Sequence, residues 1–154
     1  MKILVDADAC PVKSIIEKIA KKYGISVVMF IDSSHILNLE YSEVVTVGQG
    51  KDAVDLALIN RAEQEDIVVT QDYGVAALAL GKGAYAINNF GTVFSDENID
   101  QMLFERHISA KIRRNGRRVC GLHKRTKNDD EQFEQNLVQL LGKLLNSDKG
   151  ADDN

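Results

Sequence analysis

The sequence predicts a single α/β domain, three layers deep, with helices on both faces of a mostly parallel sheet. Two observations carry this. Short β-branched runs alternate with segments of helical apolar spacing, the signature of βαβ crossovers. The chain of 154 residues, 44% of them apolar, matches one domain with a core of its own.

Lys2–Asp6 reads as a buried strand, an apolar run that stops at Asp6. Pro11 suits the first turn of a helix, since a missing N–H costs nothing there. Val12, Ile15, Ile16, Ile19 and Ala20 then recur at helical spacing, and Gly24 supplies the stop. Ile25–Ile31 is a second strand, rich in β-branched residues. An irregular connection from Ser33 to Glu40 leads to a short strand at Glu43–Val47. Gly48-Gln49-Gly50 turns the chain into a helix from Lys51 to about Gln64. Ile67–Thr70 is a strand, Tyr73–Leu80 a short helix ended by Gly81, and Ala84–Asn88 a last core strand. A turn at Asn89-Phe90-Gly91 precedes a small strand at Thr92–Phe94. Ser95 can cap a helix running towards Arg113. A terminal helix spans about Asp129–Leu145, so the domain covers 1–146 and leaves 147–154 as a polar, flexible tail.

No stretch approaches the roughly 20 apolar residues of a membrane helix. Met1-Lys2-Ile3-Leu4-Val5 enters a strand pattern with no cleavage region, and Cys10 and Cys120 form neither a disulfide framework nor a zinc spacing. The expectation is a cytoplasmic protein. The net charge of −4 conceals a lopsided distribution. Residues 106–127 hold nine Lys and Arg and no acid, leaving ten bases elsewhere against all 23 acids. Within that stretch Arg113, Arg114, Arg117 and Arg118 flank Asn115-Gly116, and Lys124-Arg125 follows Gly121. Arginine's planar fork suits phosphate, so RNA or another nucleic acid is the partner this segment would take. No aromatic residues interleave these bases, which argues against a base-stacking platform.

In an open parallel sheet, ligands bind beyond the carboxyl ends of the strands. Asp6 and Asp8 follow the first strand. Asp52 and Asp55 open the helix after the third, three residues apart and so on one face. Asp72 follows the fourth strand, behind Thr70. Each aspartate alone is explained as a helix cap. Together they pose a problem, because like charges about 4 Å apart repel by about 4 kcal/mol at an effective dielectric near 20. A shared cation solves it, and oxygen ligands without His or Cys point to Mg²⁺ or Mn²⁺ rather than zinc. Lys13 could quiet these carboxylates or pair with a substrate phosphate. Cys10 reads as a buried, inert thiol. Gly48-Gln49-Gly50-Lys51 lacks a phosphate-loop pattern and reads as a turn. His35, His107 and His123 have no ligand spacing and take surface or core roles.

The segments Asp6-Ala7-Asp8-Ala9-Cys10-Pro11-Val12-Lys13, Asp52-Ala53-Val54-Asp55, Val68-Val69-Thr70-Gln71-Asp72 and Phe94-Ser95-Asp96-Glu97-Asn98-Ile99 resemble the YaiI/YqxD family from Lys2 to about Leu145. That family is in turn similar to PIN-like domains, metal-dependent nucleases with a parallel sheet and an acidic site. The resemblance implies a PIN-like fold, with Asp6 as the first-strand acid, Asp52 or Asp55 as the helix acid, and Asp72 with Thr70 as the fourth-strand pair. PIN nucleases usually add an acid soon after that pair. Tyr73–Ala84 has none, and Asp8 is the acid this sequence offers instead.

The leading expectation is a Mg²⁺- or Mn²⁺-dependent nuclease. Asp6, Asp8, Asp55 and Asp72 would form its catalytic group, with Asp52 a further metal ligand. Thr70 and Lys13 would stand behind them, and Arg113, Arg114, Arg117, Arg118, Lys124 and Arg125 would hold the phosphate backbone. Two alternatives stay open. One is a phosphomonoesterase using Asp6 as nucleophile, since Asp-x-Asp after a first strand resembles haloacid-dehalogenase-type phosphatases. The other is a metal- or RNA-binding module without catalysis.

Overall fold

A computed structural model describes residues 1–116 and 124–152. Arg117 and Arg118 of the basic stretch therefore lie outside the described residues. The chain runs β1 (Lys2–Asp6), α1 (Lys13–Tyr23), β2 (Ser26–Asp32), β3 (Glu43–Val47), α2 (Lys51–Arg61), β4 (Ile67–Val69) and α3 (Tyr73–Gly81). It continues with β5 (Tyr85–Ile87), β6 (Val93–Phe94), α4 (Asp96–Arg114) and α5 (Lys127–Asp152). The strands form one sheet in the order β3-β2-β1-β4-β5-β6, parallel throughout except for β6, which pairs antiparallel with β5.

The central strands β1, β2 and β4 are buried on both faces, and their alternation sorts the core into two layers. Ile3, Val5, Val27, Met29, Ile31, Ile67 and Val69 point to the side covered by α1 and α5. Leu4, Val28, Phe30, Val68, Ala86 and Phe94 point to the side covered by α2, α3 and α4. This is the three-layer α/β arrangement the alternation predicts. Helix α5 belongs to the core, with Phe133, Leu137 and Leu141 fully buried.

Element boundaries move where local chemistry outweighs periodicity. Helix α1 starts at Lys13 and not at Pro11, because residues 8–12 are spent on turns leading out of β1. Helix α2 stops at Arg61 rather than Gln64. Ala62 turns extended and buried there, and Glu65 adopts a φ of 71° on the way into β4. The expected cap on α4 is present as a full capping box. The Ser95 hydroxyl accepts from the Asn98 N–H, and the Asn98 side chain accepts from the Ser95 N–H. Helix α5 begins at Lys127 and runs on past Leu145 to Asp152. Residues 146–150 are exposed, so this last part is helix propagated from packed turns and not helix held by the core.

At the amino edge of the sheet, Asp66 is only 2% exposed and accepts from the Lys2 N–H, the Lys2 ammonium and the Glu63 N–H. This buried acid ties the start of β1 to the start of β4. At the other edge, Gly91 sits at a φ of 91° in the β5–β6 turn, pressed against α5. A Cβ there would stand 2.7 Å from Asn136 Nδ2 and 2.9 Å from the Gln132 carbonyl oxygen. Gly91→Ala is expected to cost at least about 2 kcal/mol, combining a disfavoured φ with overpacking. Urea unfolding measures it, and an unchanged midpoint would mean that α5 yields at this contact.

Candidate metal centre

The order of the strands decides where a ligand can sit. From β1 the chain winds outward through β2 to β3, then returns by α2 to the other side of β1 and continues through β4 and β5. The winding direction therefore changes between β1 and β4, which opens a crevice beyond their carboxyl ends. The parallel register Val5↔Val69 brings these two ends level. Asp6 and the Thr70–Asp72 segment leave the sheet side by side.

A cleft of 280 Å³ lies there, lined by Asp6, Asp8, Ala9, Asp32, Gln71 and Asp72. Four carboxylates from three strand ends share it, and all four are half-buried. Asp72 also caps α3: its Oδ1 accepts from the Val75 N–H at 3.1 Å. Thr70 is buried, and its hydroxyl oxygen accepts from the Asp72 N–H at 3.0 Å, which sets the direction in which the chain delivers Asp72. The capping and site readings of Asp72 are thus compatible, because a carboxylate has two oxygens and several acceptor positions.

Asp8 reaches across to the second strand. Its Oδ1 accepts from the Asp32 N–H at 3.2 Å and lies 3.1 Å from His35 Nδ1. The same ring nitrogen stands 2.9 Å from Asp32 Oδ1, so a protonated Nδ1 serves both carboxylates. Hydrogen bonds from the Ser34 hydroxyl, from His35 and from the Ser34 N–H hold the Asp32 carboxyl below its ordinary pKa. A depressed carboxyl pKa stabilises the fold above the ordinary carboxylate range, and the effect is lost as pH falls from that range through the lowered folded-state value. The 32–35 turn keeps this support at neutral pH.

One ligand atom from each of Asp8, Asp32 and His35 lies within 4.8 Å of the others. Neither Asp32 nor His35 stands out in the sequence as a site residue. A signal was available for Asp32, which follows the β2 run as directly as Asp6 follows β1. What ties it to the site is the adjacency of β2 and β1.

Other candidates are placed elsewhere or employed differently. Asp52 is exposed in the first turn of α2 and Asp55 is half-buried one turn on; neither lines this cleft. Lys13 donates to the Cys10 carbonyl at 3.0 Å and so braces the loop that carries Asp8. Cys10 is buried, and burial pushes its thiol pKa up, which fits an inert core residue. Arg113 and Arg114 are exposed at the end of α4, and Lys124 is exposed as well. Arg125 is engaged within the chain. It donates to Asp130 at 2.7 Å and to the Asn89 carbonyl at 2.6 Å, and lies over the Phe90 ring at 5.1 Å. It docks the start of α5 onto the β5–β6 turn.

Fold and cleft together define a three-layer α/β domain with an acidic crevice at its topological switch point. The chain belongs to the family described as uncharacterized BCR, YaiI/YqxD family, whose model matches residues 4–143. It is 60% identical over 141 residues to a UPF0178 protein of Ruminiclostridium cellulolyticum, covering 92% of each chain. A UPF0178 protein of Alkaliphilus oremlandii is 52% identical over 153 residues, covering 99% of both. Among solved structures it is similar to Rae1 (YacP) from Bacillus subtilis, with a TM-score of 0.45 and 17% identity, over 78% of this chain and 87% of that one. Among the described residues, no helix is long and apolar enough to cross a membrane.

Proposed function

We propose that the protein is a Mg²⁺- or Mn²⁺-dependent phosphodiesterase acting on nucleic acid, with RNA as the first substrate to test. The observation that carries this reading is the gathering of Asp6, Asp8 and Asp72, together with Asp32, in one 280 Å³ cleft at the switch point. The donor set fits a hard divalent cation, since the three strand-end ligands read from the sequence offer only carboxylate oxygen. The imidazole of His35 beside Asp8 and Asp32 adds a nitrogen, which favours Mn²⁺ over Mg²⁺ at that end of the cleft. The resemblance to PIN-like domains points the same way.

In this reading Asp6, Asp8 and Asp72 hold the ion, which supplies Lewis acidity towards a phosphoryl oxygen. The Thr70 hydroxyl, bonded to the Asp72 N–H, fixes how Asp72 enters the cleft. Asp32 and His35 position Asp8 through its Oδ1. Asp55 stands outside the cleft lining, near the start of α2 at the same strand-end edge, and is the candidate for a second ion there. The exposed Arg113 and Lys124, with Arg117 and Arg118, would grip the phosphate backbone by charge alone.

The test is cleavage of structured RNA, single-stranded RNA and DNA with Mn²⁺, with Mg²⁺, and with chelator. Metal-dependent cleavage of RNA is expected, reduced at least about a hundredfold in both Asp6→Asn and Asp8→Asn. A phosphorylated Asp6 trapped from a phosphomonoester would instead make the protein a phosphatase. Metal-dependent RNA binding without turnover would make it a binding module.

A further inference from the structure

Helix α4 has an outward face that the described residues leave uncovered. Its inner face is set by the buried Ile99 and by Met102 against the second core layer, with Arg106 over the Tyr73 ring at 5.6 Å. On the opposite side Leu103, Phe104 and Ile108 are exposed, Phe104 at 64%. Positions 97, 100, 104, 107, 111 and 114 follow steps of three and four, so they form one straight seam along the helix. Read in order, that seam is Glu97, Asp100, Phe104, His107, Lys111 and Arg114. Two acids lie at one end, two rings at the centre and two bases at the other end.

We propose that this seam pairs with the same seam of a second copy, antiparallel about a twofold axis passing between Phe104 and His107. In antiparallel helices, residues equally distant from the axis on opposite sides stand level. Asp100 then meets Lys111 of the second copy, Glu97 meets its Arg114, and Phe104 packs on its His107. Leu103 and Ile108 flank the seam, one on each side, and lose exposed apolar surface. The sequence is self-complementary, as a twofold interface requires.

Other occupants fit less well. Parallel pairing would set acids against acids and bases against bases. A nucleic-acid strand or an anionic membrane lying along the seam would meet Glu97 and Asp100 with the same sign of charge. Electrostatic pairing of this kind fixes orientation and weakens with salt.

Sedimentation velocity across a wide range of concentration tests the proposal. The wild type is expected to form a dimer that weakens as salt is added. Phe104→Asp, Asp100→Lys and Lys111→Glu are each expected to raise the dissociation constant at least about tenfold. The double reversal Asp100→Lys with Lys111→Glu inverts both charges of each pair and should restore the dimer. All three positions are exposed, and circular dichroism verifies that each variant is folded. A wild type that stays monomeric at every concentration overturns the proposal. So does a dimer indifferent to these changes, or a double reversal that fails to restore association.

Discussion

The Asp72→Asn protein is expected to lose the thermal stabilisation that Mn²⁺ or Mg²⁺ gives the wild type, while its metal-free form melts no lower. Asp72 shares its cleft with Asp6, Asp8 and Asp32, so without a cation its charge adds repulsion to a half-buried cluster. Contacts of this type cost up to a few kcal/mol. Its structural duty is the cap on α3, a bond from the Val75 N–H to Oδ1. Asparagine keeps an oxygen there and caps helices about as well as aspartate. Removing the charge therefore spares the cap and relieves the repulsion. At a hundredfold excess of metal over its dissociation constant, the wild type should gain about 2.7 kcal/mol and the variant much less. Asp72→Ala separates the two roles, since it should lose the metal response and also about 1 kcal/mol of cap. Thermal melts with and without metal make the comparison. An Asp72→Asn protein with the full metal shift would reduce Asp72 to a cap and remove the central residue of the proposed site.

Phe133→Ala should be the more damaging change to the fold. Phe133 is fully buried in the layer beneath α5, packed in the same cluster as the inward side chains of β1 and β2. Truncating a buried phenylalanine typically costs about 3–5 kcal/mol, part lost transfer energy and part cavity. For a domain of this size that is a large fraction of a stability of about 5–15 kcal/mol. Chemical denaturation should show one cooperative transition shifted to lower denaturant. A second transition belonging to α5 alone would show that this helix is an appendage and not a member of the core.

The two residues illustrate what could be read before the fold was known. Phe133, Leu137 and Leu141 repeat at helical spacing, and that periodicity depends only on residues close in sequence. The strands were legible for the same reason: β-branched runs bounded by glycine or aspartate carry their own signal. Ends were less legible, since Pro11 sits in a turn and Ala62 in a buried extended break, both set by what the neighbouring segments pack against. The Asp6, Asp8 and Asp72 positions were readable as strand-end acids because the rule that ligands sit beyond the carboxyl ends needs no distances.

Asp32 and His35 show where that reading stopped. Asp32 has the same relation to β2 as Asp6 has to β1, yet it bears on the site only because β2 lies beside β1 in the sheet. His35 has no partner at any ligand spacing in the sequence, and it meets Asp8 across 27 positions through the turn that follows β2. Arg125 is the converse case. Its sequence neighbours are basic and suggest phosphate, whereas the fold gives it Asp130 and the Asn89 carbonyl.

By itself, then, the sequence determined the α/β class, the helices on both faces of the sheet, the Ser95 cap on α4 and the acids at the strand ends. These rest on periodicity and short-range hydrogen bonding, which a chain carries locally. Only the tertiary structure decided which strand ends adjoin, and so that Asp6, Asp8, Asp32 and Asp72 share a cleft while Asp52 and Asp55 stand outside its lining. Strand order is a long-range choice, settled by how helices cover both faces of the sheet, and no local pattern encodes it.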